Sequence, residues 1–272
     1  MSPRRLAAGG LAAALAATLA TGCAYTAAPP SAGEQLVERV RGAYQRTTAL
    51  PAVSAAVTET VQSGTSPVAQ GTGTVTWEFA RKTGETRLTV DGRTPVVAVR
   101  VKDTFYEART RASLAGTGRD LVRDGRRDAR ALPQIQAPGL DPFQLTTLLD
   151  ATSWPDSLVS AQPVVTSDAD GRHTEYQLGV DTAKLAAHAP AGDRAWLTEM
   201  SRRPGGATVP VVVTLAHGRI ATLAARLPVP GPPSAAKATT GASALPAPKS
   251  MSILVSARFD YATKPERITP PA

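Results

Sequence analysis

The sequence predicts an α+β fold, a long antiparallel sheet with a few helices packed on one of its faces. Three observations carry this prediction. Five consecutive segments between residues 53 and 108 alternate apolar and polar residues and are joined by connections too short for parallel crossovers. Short stretches of helical periodicity stand before, between and after runs of strand pattern rather than alternating with them strictly. The alternating pattern also returns close to the C-terminus, from Ser252 to Tyr261.

Taken in order, Met1 to Gly22 has a basic start at Arg4 and Arg5, an uncharged Ala/Leu-rich run from Leu6 to Ala20 and a small-residue exit, the layout of a secretory signal. The run has about 15 residues against the roughly 20 needed to span a bilayer. Leu6-Ala7-Ala8 follows the arginine pair where twin-arginine signals carry a bulky apolar pair and a lysine, which favours general secretion. Cys23, the only cysteine, stands directly after Leu19-Ala20-Thr21-Gly22. This segment resembles the bacterial lipoprotein signal, with its leucine one place further from the cysteine than usual. The resemblance implies cleavage between Gly22 and Cys23 and a diacylglycerol thioether on Cys23. Dual acylation gives a stable anchor, where one chain holds a protein only reversibly.

The domains expected are a signal at 1–22, an acylated tether at 23–32 and one folded domain at 33–272, with flexible insertions near 109–140 and 228–249. Ala24 to Pro30 is small and Pro-containing and suits a tether. Ser31-Ala32-Gly33-Glu34 has capping-box spacing, and Leu36, Val40, Ala43 and Tyr44 follow at helical spacing, so a helix is expected from Gly33 to Thr47.

Val53, Ala55, Val57 and Val61 then define an apolar strand face, and Gly64 with Pro67 marks a turn. The next strand presents Gly71, Gly73, Val75, Trp77 and Phe79 on one side. Lys82-Thr83-Gly84 and Asp91-Gly92 are hairpin signals separating Thr86 to Val90 from Pro95 to Val101, and Lys102-Asp103 leads into Thr104 to Ala108. Residues 109–140 hold seven arginines up to Arg130 and few apolar residues, the pattern of a long exposed excursion, lipid- or wall-facing.

Asp141-Pro142 is expected to cap a short helix carrying Leu145, Leu148 and Leu149. A hairpin follows around Asp168 to Gly171. Asp181 should cap a helix through Lys184, Leu185 and His188, and Asp193 should start one bearing Trp196, Leu197 and Met200. Strands from Val209 and Ile220 flank the His217-Gly218 turn, Pro228 to Lys249 lacks regular pattern, and residues 264–271 should run along a sheet edge.

Composition narrows the function classes. With Cys23 acylated, the mature chain has no thiol for a disulfide or a nucleophile. The formal charge of +8 falls to +6 without Arg4 and Arg5, which suits anionic headgroups or cell wall better than nucleic acid. Of 30 basic residues 24 are arginine and asparagine is absent, the stamp of a GC-rich genome. His173, His188 and His217 lack the i,i+4 spacing of a zinc helix, no G-x-S-x-G occurs, and Gly71-Thr72-Gly73-Thr74 sits inside a strand without the lysine or helix of a phosphate loop. No catalytic residue, metal or cofactor is therefore expected.

The order of elements, together with Asp141-Pro142-Phe143-Gln144-Leu145-Thr146-Thr147-Leu148-Leu149, Val180-Asp181-Thr182-Ala183-Lys184-Leu185 and the Pro265 to Pro271 tail, resembles the actinobacterial lipoproteins with the LolA/LppX/LprG-type fold. That resemblance implies a curved antiparallel half-barrel sheet whose concave face is covered by helices. It also implies carriage of a lipid, lipoglycan or acyl chain at the outer face of the cytoplasmic membrane, by a monomer that is not an enzyme. Val75, Trp77, Phe79, Leu88 and Val90 from the strands, and Leu145, Leu148, Leu149, Trp196 and Met200 from the helices, should then line the space between the two layers. The alternative is a tethered interaction or sensor module of the envelope that uses the same scaffold with a filled interior.

Overall fold

The computed structural model describes residues 31–124, 141–168, 171–228 and 251–271. Gly22, Cys23, the signal, the tether up to residue 30 and the stretches 125–140 and 229–250 lie outside the described residues, while Ser31 and Ala32, expected in the tether, cap and open the first helix. Residues 31–272 form one compact unit.

Helix α1, Ala32–Thr48, begins as its sequence requires. The Glu34 amide donates to Ser31 Oγ at 3.2 Å and the Ser31 amide donates to Glu34 Oε2 at 2.6 Å, so two end amides are satisfied reciprocally. Leu36, Val40, Ala43 and Thr47 form its buried stripe.

The strands are β1, Val53–Ser63; β2, Ser66–Glu78; β3, Thr83–Val90; β4, Thr94–Val101; β5, Thr104–Ala108; and β6, Arg119–Asp120. After the crossing segment come β7, Leu158–Asp168; β8, Gly171–Asp181; β9, Thr208–Ala216; β10, Arg219–Pro228; and β11, Met251–Asp260. Among the described residues they form a single eleven-stranded sheet in the order β6-β5-β4-β3-β2-β1-β11-β10-β9-β8-β7, with antiparallel pairing throughout. Two meanders meet where the first strand pairs with the last, Ala55 opposite Phe259 and Val57 opposite Ala257. The sheet is not closed, since β6 and β7 are its two free edges.

Register is set by the turns. Asp91 and Gly92 have φ of 49° and 66°, and His217 and Gly218 have 50° and 73°. Both central residues thus take the left-handed conformation that matches the twist of the flanking strands. Gly73 serves a different need, because a Cβ there would lie 1.9 Å from the Arg87 carbonyl oxygen. Only glycine lets β2 approach β3 this closely.

The chain leaves the sheet at one edge and re-enters at the other. The described part of that connection holds Asp141 to Phe143, helix α3 at Gln144–Thr147 and two 3-10 turns, Leu148–Ser153 and Pro155–Ser157. It crosses the face that carries Val53, Val75, Trp77, Leu223 and Val255. Trp77 Nε1 donates to the Pro142 carbonyl at 2.5 Å, and α3 packs near β10. Helices α4, Thr182–His188, and α5, Ala191–Ser201, complete the cover. The fold is therefore the α+β arrangement expected, an open antiparallel sheet with helices over one face.

Several local expectations are corrected. Phe79 lies in a 3-10 turn, Phe79–Arg81, and not in the strand. Up to residue 124 the arginine-rich stretch is held against the sheet: it forms a 3-10 turn at Arg111–Leu114, then β6, then α2 at Leu121–Asp124. Leu114 and Leu121 are buried. Arg111 pairs with buried Glu85 at 2.6 Å, Arg119 reaches Glu107 at 3.4 Å, and Arg111 also donates to the Thr269 carbonyl. The pairing of Arg111 with Glu85 needs β3, β4 and β5 to be stacked side by side first, and that of Arg119 with Glu107 needs β6 to form beside β5. The C-terminal tail does not follow an edge. Ile268 packs with Val97, Val99 and Leu114 on the outer face, and its amide donates to Glu78 Oε1 at 2.9 Å.

Candidate functional site

The interior between sheet and helices is built by strand alternation. Successive strand side chains point to opposite faces, so Val53, Ala55 and Val57 of β1 share a face with Val75 and Trp77 of β2, Leu88 of β3, and Val96 and Ala98 of β4. On the other meander the same face carries Ile253, Val255 and Ala257 of β11, Leu223, Ala225 and Leu227 of β10, and Val211 and Val213 of β9. All of these belong to one buried apolar cluster.

Seven of the ten predicted lining residues, Val75, Trp77, Leu88, Leu145, Leu148, Leu149 and Met200, are buried members of that cluster, and Phe79, Val90 and Trp196 pack against it from partly exposed positions. Trp77 stacks on Phe79 at 5.9 Å and on Phe259 at 5.3 Å between ring centroids, and Phe143 from the cover meets Phe79 edge-on at 6.1 Å. These aromatic contacts fix one end of the interior. Gly84 makes the close seat for the cover, since a Cβ there would come within 2.7 Å of Pro142.

The cover is tied to the sheet by charge as well as by apolar contact. Arg100 of β4 occupies an interior-phase position, two residues beyond Ala98, and is buried. Its Nη1 donates to Asp141 Oδ2 at 3.0 Å and to Asp193 Oδ1 at 2.5 Å, its Nε donates to the Lys102 carbonyl at 2.9 Å, and it lies over the Phe143 ring. Burial opposes the charge on Arg100, yet the two carboxylates outweigh it and hold the guanidinium above its ordinary value. Burial pushes the Asp141 carboxyl up, and Arg100 pulls against that shift.

Two acidic residues read as helix caps therefore do something else. Asp193 sits inside the first turn of α5, which begins after Pro190. Asp141 turns the chain by accepting a hydrogen bond from the Phe143 amide on Oδ1 at 3.0 Å while its Oδ2 meets Arg100. Asp181 does cap α4, accepting from the Lys184 amide at 3.0 Å.

Two further polar side chains face the interior, and neither was among the residues expected there. Glu59 is only 2 % exposed, and its Oε1 has no hydrogen-bond partner. Burial alone raises its carboxyl to about 7. Thr86 of β3 is 1 % exposed and its hydroxyl is likewise unpartnered. The available signal was a polar residue at an apolar phase of an alternating strand: Val53, Ala55, Val57, Glu59, Val61. Nearer the cover, Asp150 faces Tyr44 and is raised to about 6 by burial, the Tyr44 hydroxyl opposing that shift.

The three histidines lie on separate elements. His173 meets Thr166 at 3.0 Å across the β7–β8 hairpin. His188 stacks on Trp154 at 4.1 Å and approaches Asp156 at 3.4 Å, and His217 occupies the β9–β10 turn. No group of three metal-binding side chains gathers among the described residues, and no described helix is long and apolar enough to cross a membrane.

An open antiparallel sheet with an apolar face closed by tethered helices is thus the class of architecture that fold and site define. No protein-family profile matches the chain, and no curated protein matches it. Among solved structures it is similar to the lipoprotein LppX of Mycobacterium tuberculosis, at 12% identity over 85% of this chain and 97% of that one, TM-score 0.41. It is also similar to a LolA superfamily protein of Nitrosomonas europaea, at 8% identity over 87% and 96%, TM-score 0.32. A DUF1329 family protein from Desulfovibrio piger is similar at 8% identity over 86% and 94%, TM-score 0.33.

Proposed function

We propose that this chain is a non-enzymatic lipoprotein, anchored through acylated Cys23 at the outer face of the cytoplasmic membrane, that binds a lipid or another hydrophobic molecule between its sheet and its helical cover. The observation that carries the proposal is the way the interior is closed. A continuous apolar face spanning the sheet from β4 to β8 is covered by short helical pieces, and buried ion pairs join the two layers at Arg100. Apolar walls with a few placed polar groups are the composition of ligand sites. The reading draws on Val75, Trp77 and Leu88 of the sheet and Leu145, Leu148, Leu149 and Met200 of the cover, which belong to one apolar cluster. A tether from Cys23 to α1 would hold the interior close to the bilayer it loads from, and positive charge on the exported chain would favour an anionic surface.

The test is native mass spectrometry with lipid extraction on the mature chain carrying Cys23→Ser, expressed in a lipid-producing bacterial host. Stoichiometric lipid released on denaturation is the expected outcome. A lipid-free protein, under conditions where a control carrier keeps its ligand, sinks the proposal.

A second role, as an interaction module of the envelope, draws on a separate surface. Trp154, Val159 and Val165 are 42 %, 61 % and 54 % exposed at and beside the edge strand β7. Crosslinking from Val159 in intact cells that traps one protein partner, with no lipid in the interior, favours it.

A further inference from the structure

We propose that Glu59 is the polar anchor of the interior: it pairs with a hydroxyl carried on the hydrocarbon chain of the bound molecule, in the gap that Gly71 leaves beside it. This rests on the carrier function proposed above and specifies the chemistry of its ligand.

Glu59 follows Val53, Ala55 and Val57 along the inward face of β1, and its register partners are Val255 on β11 and Gly71 on β2. On β2 the inward positions around it are Ala69, Gly71 and Gly73, so the neighbouring strand sets nothing larger than a methyl near the carboxyl. A Cβ at Gly71 would meet Glu59 Cβ at 3.8 Å, Val90 Cγ2 at 3.9 Å and Glu59 Oε2 at 4.0 Å, ordinary contact distances. A methyl group fits there and the sequence leaves it out. Gly73 is glycine because backbone approaches backbone, but Gly71 has no such constraint.

A buried carboxyl without a partner is costly to the fold unless something hydrogen-bonds it. No ion pair offsets this cost at Glu59, in contrast to Glu85, which is 7 % exposed and meets Arg87 and Arg111. A bound group that supplies the missing hydrogen bond removes the penalty on binding. The surroundings select its type. An ammonium brings three donors and needs about as many acceptors, whereas Val57, Val61, Val90 and Val255 offer no side-chain acceptor. A hydroxyl needs one, and the rest of a hydrocarbon chain suits the valines.

The experiment compares hexadecan-1-ol with 1-methoxyhexadecane, which keeps the chain and the oxygen but has no O–H. Each displaces a fluorescent anilinonaphthalene sulfonate from the delipidated mature chain carrying Cys23→Ser. The protein with Glu59 intact is expected to prefer the alcohol by about tenfold, the worth of a hydrogen bond to a charged or strongly polar partner. Glu59→Leu is expected to bring that ratio to about one while changing affinity for the ether less than about twofold. Gly71→Ala, which adds a methyl the backbone tolerates, is expected to lower the preference with Glu59 still present, so the test survives a Glu59→Leu chain that does not fold. Equal binding of the two probes by the protein with Glu59 intact, or an unchanged preference in Gly71→Ala and Glu59→Leu, overturns the role of Glu59 alone. Failure of both probes to bind overturns the carrier function and this role with it.

Discussion

Arg100 on β4 and Asp193 on α5 meet guanidinium to carboxylate at 2.5 Å, and their side chains keep only 5 % and 10 % of their exposure. With Asp141 at 3.0 Å on the same nitrogen, one arginine holds the sheet, the crossing segment and the last helix of the cover together. The association of the two layers therefore depends on a buried pairing as well as on apolar area.

Replacing Arg100 by alanine leaves two buried carboxylates unpaired. A loss of about 3–5 kcal/mol is expected from that mechanism, read as a lower midpoint in urea unfolding. Arg100→Met combined with Asp141→Asn and Asp193→Asn removes the charges together and should cost clearly less. If the triple variant is as unstable as Arg100→Ala, the pairing is not the source of the effect.

Glu59 makes stability fall as pH rises. Its carboxyl titrates near 7 when folded and near 4.3 when unfolded, so the folded state binds the extra proton between those values. Raising pH through this window should remove about 4 kcal/mol, with Asp150, raised to about 6, adding in the same direction below pH 6. Glu59→Gln should flatten the slope between pH 4.5 and 7 and be more stable than the parent at pH 8. Denaturant titrations at four pH values would show it, and parallel curves for the two proteins would contradict it.

Gly73 tests the packing of strand on strand. A Cβ 1.9 Å from the Arg87 carbonyl oxygen cannot be accommodated by rotating a side chain, so Gly73→Ala should destabilise the chain by more than about 2 kcal/mol. Gly71→Ala, two residues away on the same face, should change stability by less than about 1 kcal/mol. Thermal melts of the pair make the comparison, and equal effects would refute the distinction.

Cys23 tests the anchor. The expected outcome for Cys23→Ser is loss of metabolic labelling by a palmitate analogue and movement of the chain out of the membrane fraction. Retention of both in the variant would place the attachment elsewhere.

Local chemistry in the sequence was enough for α1, because Ser31 and Glu34 satisfy each other within one turn, and for the hairpins at Asp91-Gly92 and His217-Gly218, where the turn dictates the register. Alternation was enough to assign most inward side chains, Val75, Trp77 and Leu88 among them. Pairing of β1 with β11 was out of reach, since those strands are separated by nearly the whole folded domain and no turn links them. The same limit hid the tail segment that carries Ile268 onto the outer face, while the partners of Arg111 and Arg119 depend on strand neighbours that no local pattern marks.

Local sequence was enough to place the secondary elements and their inward faces, and it marks Cys23 as the expected anchor. Those follow from interactions among residues a few positions apart, where spacing alone fixes geometry. Tertiary structure decided which charges are buried together. Arg100, Asp141 and Asp193 meet because the crossing segment and α5 fold back over β4, and Glu59 stays unpaired because its neighbours across the sheet are a glycine and a valine. Electrostatic cost depends on burial and on partners distant along the chain, and both arise only when the sheet and its cover come together.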